Sequence, residues 1–253
     1  MTHSSSTKNK ITSALLFLPA IVIIISVIAI FVNCPRLFMF KKVVSQTPFL
    51  KYKAQVLKYF PFADESSLGE WEEKIFKGKV AYKVEKGRDF SYVRARSVSA
   101  ASALYYRIKM DVRRKQPVIS WRWRVEKFPD KKLPENLETR EEDDFAARIY
   151  VIFTASFFTN SKVLEYIWAR DLGAGTVGTS PYSENIKMMV LKSGPAKEGE
   201  WFDEERDIAA DYKKMFGKSP EYDIGAVAFM TNTEHTGTEA VAKYDEIKLG
   251  YRQ

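Results

Sequence analysis

VISWRWRV, residues 118–125, is the stretch that decides the fold. Read as a strand, its side chains alternate between two faces. Ile119, Trp121, Trp123 and Val125 then lie on one face, and Ser120, Arg122 and Arg124 on the other. The first face is wholly apolar, which predicts that both tryptophans fill a core between two sheets. A single tryptophan serving as a stacking platform for a sugar ring is the alternative. The arginine face is charged, and planar guanidinium forks suit carboxylates, phosphates and hydroxyls.

The same period of two continues on both sides. In LYYRIKM (104–110), Leu104, Tyr106, Ile108 and Met110 oppose Tyr105, Arg107 and Lys109. In FAARIYVIF (145–153), the alternation sets Phe145, Ala147, Ile149, Val151 and Phe153 against Asp144, Ala146, Arg148 and Tyr150. KVAYKV (79–84), SYVRARS (91–97), VLEYIWA (163–169), IKMMVLKS (186–193), EWFDEERDI (200–208), IGAVAFMT (224–231) and AVAKYDEIKLGY (240–251) complete about ten strands. One helix is predicted at 209–216, closed by Gly217 in the left-handed conformation. Many short strands and so little helix predict a mainly β chain, an antiparallel β-sandwich or jelly roll. The predicted organisation is an anchor and its flanks over 1–42, a connector over 43–76 that is in part amphipathic, and a single sandwich domain over 77–253.

The anchor is ITSALLFLPAIVIIISVIAIFV, residues 11–32, which carry no charge. As a helix they span the ~30 Å of bilayer hydrocarbon. No small-x-small cleavage site follows, so the segment reads as an uncleaved transmembrane anchor. Lys8 and Lys10 precede it; Arg36, Lys41 and Lys42 follow. That count points the C-terminal side to the cytoplasm, but large domains translocate largely regardless of loop charge. The expectation adopted is an exported, periplasmic domain. Without residues 1–42 the net charge of +8 falls to +3, with 35 basic against 32 acidic residues. The excess flanks the membrane segment and predicts no nucleic-acid partner. Cys34 is the single cysteine, which excludes an intrachain disulfide and, with only two histidines, a zinc site of Cys/His type.

If 118–125 and 145–153 are neighbouring strands, Arg122, Arg124, Asp144, Arg148 and Tyr150 form one polar patch. That patch is the predicted ligand-binding site, with Asp144 paired to at least one of Arg122 and Arg148. Its bland counterpart is a solvated, salt-bridged outer face. Between the two strands runs EKFPDKKLPENLETREED (126–143), long for a loop inside a compact domain. Its end, EEDD (141–144), offers paired carboxylates for glycoside hydrolysis or a calcium ion, or simply an acidic surface loop. Nucleophilic catalysis has little to work with. His235 is the one histidine past the anchor, and no G-x-S-x-G elbow occurs. GAGTVG (173–178) follows no βα unit and reads as a turn. No cofactor and no metal are predicted.

The run PVISWRWRV, DDFAARIYVIF, YIWA, SPY, LKSG, EWFDEERDI, FG and VAFMTNTEHTG, in that order over roughly residues 70–252, resembles the bacterial domain family of unknown function DUF3047. The resemblance implies an envelope-located sandwich of the galactose-binding or jelly-roll sort and implies no activity. YDEIKL (244–249) is similar to the last strand of carbohydrate-binding modules, where an Asp opens a strand of Ile-x-Leu type. In TNTEHTG (231–237), Asn232 and His235 stand where the family pattern leads one to expect Asp or Asn. Three functions stay open. The first is a membrane-anchored, non-catalytic module holding a glycan or other polar or anionic envelope ligand. The second is a structural partner in an envelope assembly, and the third a carboxylate-dependent glycan-acting enzyme.

Overall fold

A computed structural model describes residues 51–113 and 115–253. The predicted anchor, 11–32, lies outside them. Among the described residues no helix is long and apolar enough to cross a membrane.

In chain order the strands are β1 (Ala54–Phe60), β2 (Glu72–Lys77), β3 (Ala81–Lys86), β4 (Ser91–Val98), β5 (Ala101–Met110), β6 (Pro117–Lys127) and β7 (Ala147–Phe153). They continue with β8 (Lys162–Ala169), β9 (Val177–Ser180), β10 (Ser183–Ser193), β11 (Phe202–Asp207), helix α1 (Ile208–Phe216), β12 (Ile224–Asn232) and β13 (Glu239–Arg252). Six strands form one sheet in the order β11-β6-β13-β4-β3, with β1 added to the far half of β13. Seven form the other in the order β2-β5-β12-β7-β8-β10-β9. The mainly β, two-sheet sandwich read from the alternation is what the chain builds.

Its core is the apolar face of each predicted strand. Trp121 and Trp123 are 1% and 0% exposed and meet edge to face at 5.3 Å, so they are core side chains. They pack on Tyr166 and Trp168 of the opposite sheet. Helix α1 closes one edge. Asp207 caps its N-terminus by accepting from the Ala210 N–H, and Gly217 ends it at φ 73°, as predicted. Asp211 on the helix takes both a bidentate contact from Arg206 and the Tyr166 hydroxyl proton, which ties the helix to both sheets.

Four expectations change. The stretch 43–76 is not all connector, because its described part supplies β1 and β2, one to each sheet. The sandwich is not wholly antiparallel. The chain leaves β8, runs out to β9 and turns back into β10 between them, so β10 lies parallel to β8. The segments containing Arg122 and Arg148 are not neighbours, since β6 and β7 belong to different sheets. Finally, the alternation in 145–153 begins only at Ala147. Ala146 turns into the main core, and Phe145 turns out into a second, smaller cluster with Leu137, Ile167, Met188 and Val190.

Candidate functional site

That second cluster shows what the long loop does. The segment 128–146 folds over half of the outer face of the seven-stranded sheet and buries Leu137 and Phe145 against β8 and β10. The other half, over β5, β12 and β7, is lined by buried and half-buried side chains. Cross-strand register sets out its rows. Ala103, Met230 and Arg148 form one row, and Tyr105, Ala228, Tyr150 and Glu165 the next. Ala103, Ala228 and Met230 are each 6% exposed. The small alanine between two tyrosines makes a trough. Tyr105 and Tyr150 stand two strand spacings apart, roughly 9–10 Å.

One side of the trough is built by Tyr105, Arg107 and Glu72. Glu72 accepts the Tyr105 hydroxyl at 2.6 Å and the Arg107 Nε–H at 2.9 Å. On the other side stands Arg148, only 2% exposed on what should be a solvent face. Its Nη1 lies 2.9 Å from Glu165 and donates to the Tyr150 hydroxyl at 3.2 Å. Nη2 contacts the Asp143 carboxylate at 3.1 Å and donates to the Asp143 carbonyl. The Phe145 ring lies 4.7 Å from the guanidinium carbon. Burial works against this charge, but Asp143, Tyr150 and Glu165 outweigh it and hold Arg148 above its ordinary pKa. Burial pushes the Glu165 carboxyl up to about 7 against the pull of Arg148, and raises Asp143 in the same way. At the rim, burial and the nearby Asp144 push Glu234 up to about 8. His235 and Tyr182 complete the rim, 2.5 Å apart between Nε2 and Oη.

The five predicted site residues therefore divide. Arg148 and Tyr150 are together in the trough, hydrogen-bonded to each other. Asp144 is close by but pairs with neither arginine. Its carboxylate accepts from Asn232 Nδ2 and from the backbone N–H groups of His235 and Thr236, clamping the β12–β13 turn. Asp143 takes the ion-pair role, because the chain breaks register between 145 and 147. Arg122 and Arg124 lie on the opposite side of the molecule. Arg122 contacts Asp203 at 3.3 Å, and Arg124 reaches Glu126 at 3.9 Å. Tyr105, Arg107, Glu165 and the rim were not singled out as site residues. The outward alternation of Tyr105 and Arg107 in LYYRIKM was the available signal; nothing local marks Glu165, which reads as one polar residue within a buried strand. Among the described residues no cluster of His, Cys, Asp and Glu is arranged to hold a metal ion.

In outline the molecule is similar to several solved structures. A family 11 carbohydrate-binding module of cellulosomal cellulase Lic26A-Cel5E of Clostridium thermocellum matches 78% of this chain and 93% of its own, at 11% identity and a TM-score of 0.40. The cellulose-induced protein Cip1 matches 76% and 96%, at 9% identity and a TM-score of 0.42. The xyloglucanase domain of NopAA from Sinorhizobium fredii matches 72% and 93%, at 10% identity and a TM-score of 0.40. These likenesses are of outline alone and assign no ligand. No curated protein matches the chain. The sequence signature is more telling: it spans residues 69–248, and by it the chain belongs to the protein family of unknown function DUF3047.

Proposed function

We propose that the chain is a non-catalytic binding module of the bacterial envelope, held at a membrane by residues 11–32 with its sandwich exported, and that the trough on the seven-stranded sheet holds a glycan or a similar hydroxyl-rich ligand. The observation that carries this reading is the buried Arg148 beside the row in which Ala228 sits between Tyr105 and Tyr150. A guanidinium is costly to desolvate, and a sheet's outer face offers no structural need for one. Perturbed, desolvated charges beside a recess mark functional sites more often than bare scaffold. Tyr150 is half-buried and supplies aromatic surface for the C–H side of a sugar, with Tyr105 buried behind it across Ala228. Glu72, Arg107 and the Asp143–Arg148 pair present acceptors and donors to its hydroxyls.

Binding is favoured over catalysis by the state of the carboxyls. Asp143 and Glu165 converge, but on the same guanidinium. Held there, neither faces a substrate with the opposed acid and base that glycoside hydrolysis uses. A glycan array probed with the full chain and with Tyr150→Ala tests the reading. A set of bound glycans that weakens on Tyr150→Ala supports it. An array with no bound glycan leaves the envelope-assembly reading in its place.

A further inference from the structure

Arg122 and Arg124 leave a face to be explained. We propose that the outer face of the six-stranded sheet carries a second site, independent of the trough, for a neutral hydroxyl-bearing ligand of about one sugar ring. A cavity of about 320 Å³ opens there over β11, β6 and the bulge of β13. Small-molecule sites begin near ~300 Å³, so it admits one small unit. Register fixes its floor. Glu205, Ser120 and Lys248 face each other across three strands, and Asp203, Arg122 and Asp245 form the adjoining row. Lys51 and Glu246 complete the wall.

The charges lining the cavity nearly balance. Lys51, Arg206 and Lys248 stand against Asp203, Glu204, Glu205 and Glu246, with Glu204 pushed up to about 7 by burial; Lys248 is paired with Glu246 at 2.8 Å, Asp203 with Arg122, and Arg206 with Asp211. A ligand of net charge would enter with no counter-charge waiting for it. A polyol meets both donors and acceptors. Beside the cavity, next to Glu246 of its wall, lies an acceptor that the protein does not use. Asp245 is 1% exposed, yet its Oδ1 has no hydrogen-bond partner. Burial pushes this carboxyl up to about 7, so it accepts or donates near neutrality.

Beside the cavity stands an apolar wall of the right kind. Phe90, Tyr92 and Trp201 form a partly exposed aromatic trio with centroids 5.3 to 6.5 Å apart. Arg122 links the trio to the cavity, its guanidinium carbon 4.7 Å from the Phe90 centroid. Aromatic surface next to a neutral polar pocket suits a ring with one C–H face and several hydroxyls. The two faces point away from each other, so a chain with both sites would bridge two glycans and gain avidity.

The test uses the full chain with D-glucose, D-galactose and D-mannose as probes, read by saturation-transfer NMR and titration. Ser120→Leu pushes a side chain into the cavity, and Trp201→Ala removes one ring of the trio. Either should weaken hexose binding at least about tenfold, the value of one good contact, with the thermal midpoint retained. Tyr150→Ala should leave that binding intact. If Ser120→Leu fails to fold, Trp201→Ala alone decides. The proposal is overturned if no hexose binds, or if binding survives both variants. Loss in Tyr150→Ala alone likewise overturns it and leaves the trough as the hexose site. A trough variant that binds every array glycan as before, with hexose binding lost in Ser120→Leu, sinks the trough reading and keeps this one.

Discussion

Arg148 and Arg122 show how far environment decides what one residue type is worth. Arg148 has lost its water, and Asp143 and Glu165 rely on it. Arg148→Ala should cost ~3–5 kcal/mol, because two buried carboxyls lose their cation. The Arg122 side chain is 28% exposed and its partner Asp203 50%, so Arg122→Ala should change stability by ~0–1 kcal/mol. Urea denaturation of both variants checks the contrast, and equal costs would mean that the two arginines sit in similar surroundings. The buried carboxyls predict a pH dependence as well. Glu165, Glu204 and Asp245 are pushed up to about 7 and Glu234 to about 8, in each case chiefly by burial. The unfolded chain gives up these protons near the ordinary carboxylate values, below the folded ones. Their contribution is therefore complete below about pH 4.5 and lost as pH rises through 7 and 8. The urea midpoint should fall between about pH 5 and about pH 8, and Glu165→Gln should make that fall shallower. A midpoint that rises across this window would contradict the burial of these groups.

Elements differ in how plainly they announce themselves. Ten strands were legible, most of them because they carry apolar residues at every second position facing one core. Strands β1, β2 and β9 were not. EEKIFK and AQVLKYF run at sheet margins with few buried side chains, and VGTS is four residues long, so the period of two has too little to act on. The site was half legible. Arg148 and Tyr150 follow from the β7 alternation, whereas the partnership of Arg148 with Asp143 rather than Asp144 depends on a register break at Phe145 and Ala146 that no periodicity encodes. The distribution of strands between sheets, which separates Arg122 from Arg148, is set by long-range pairing of β6 with β11 and β13. Helix α1 was read from its closing Gly217, while its N-terminal cap, Asp207, was read as part of a strand and should also carry energy. Asp207→Ala removes the side-chain acceptor for the Ala210 N–H and should cost ~0.5–2 kcal/mol. Chemical denaturation measures this, and an unchanged midpoint would show that the cap is idle.

At the scale of the whole molecule, one core serves two unlike outer faces. The six-stranded sheet leaves its outer charges partly solvated around a small cavity. The seven-stranded sheet has half its outer face roofed by the 128–146 segment, which turns a flat surface into a trough and desolvates the residues at its edge. Burial raises carboxyls beside both faces, Asp143, Glu165 and Glu234 at the trough and Glu204 and Asp245 in the six-stranded sheet. The most direct test follows methyl resonances of alanine and methionine while an array-selected glycan is titrated into the full chain. The account predicts that Ala103, Ala228 and Met230 shift together and saturably, and that the shifts vanish in Tyr150→Ala with the fold retained. Saturable glycan binding that leaves those three methyls unmoved would contradict it.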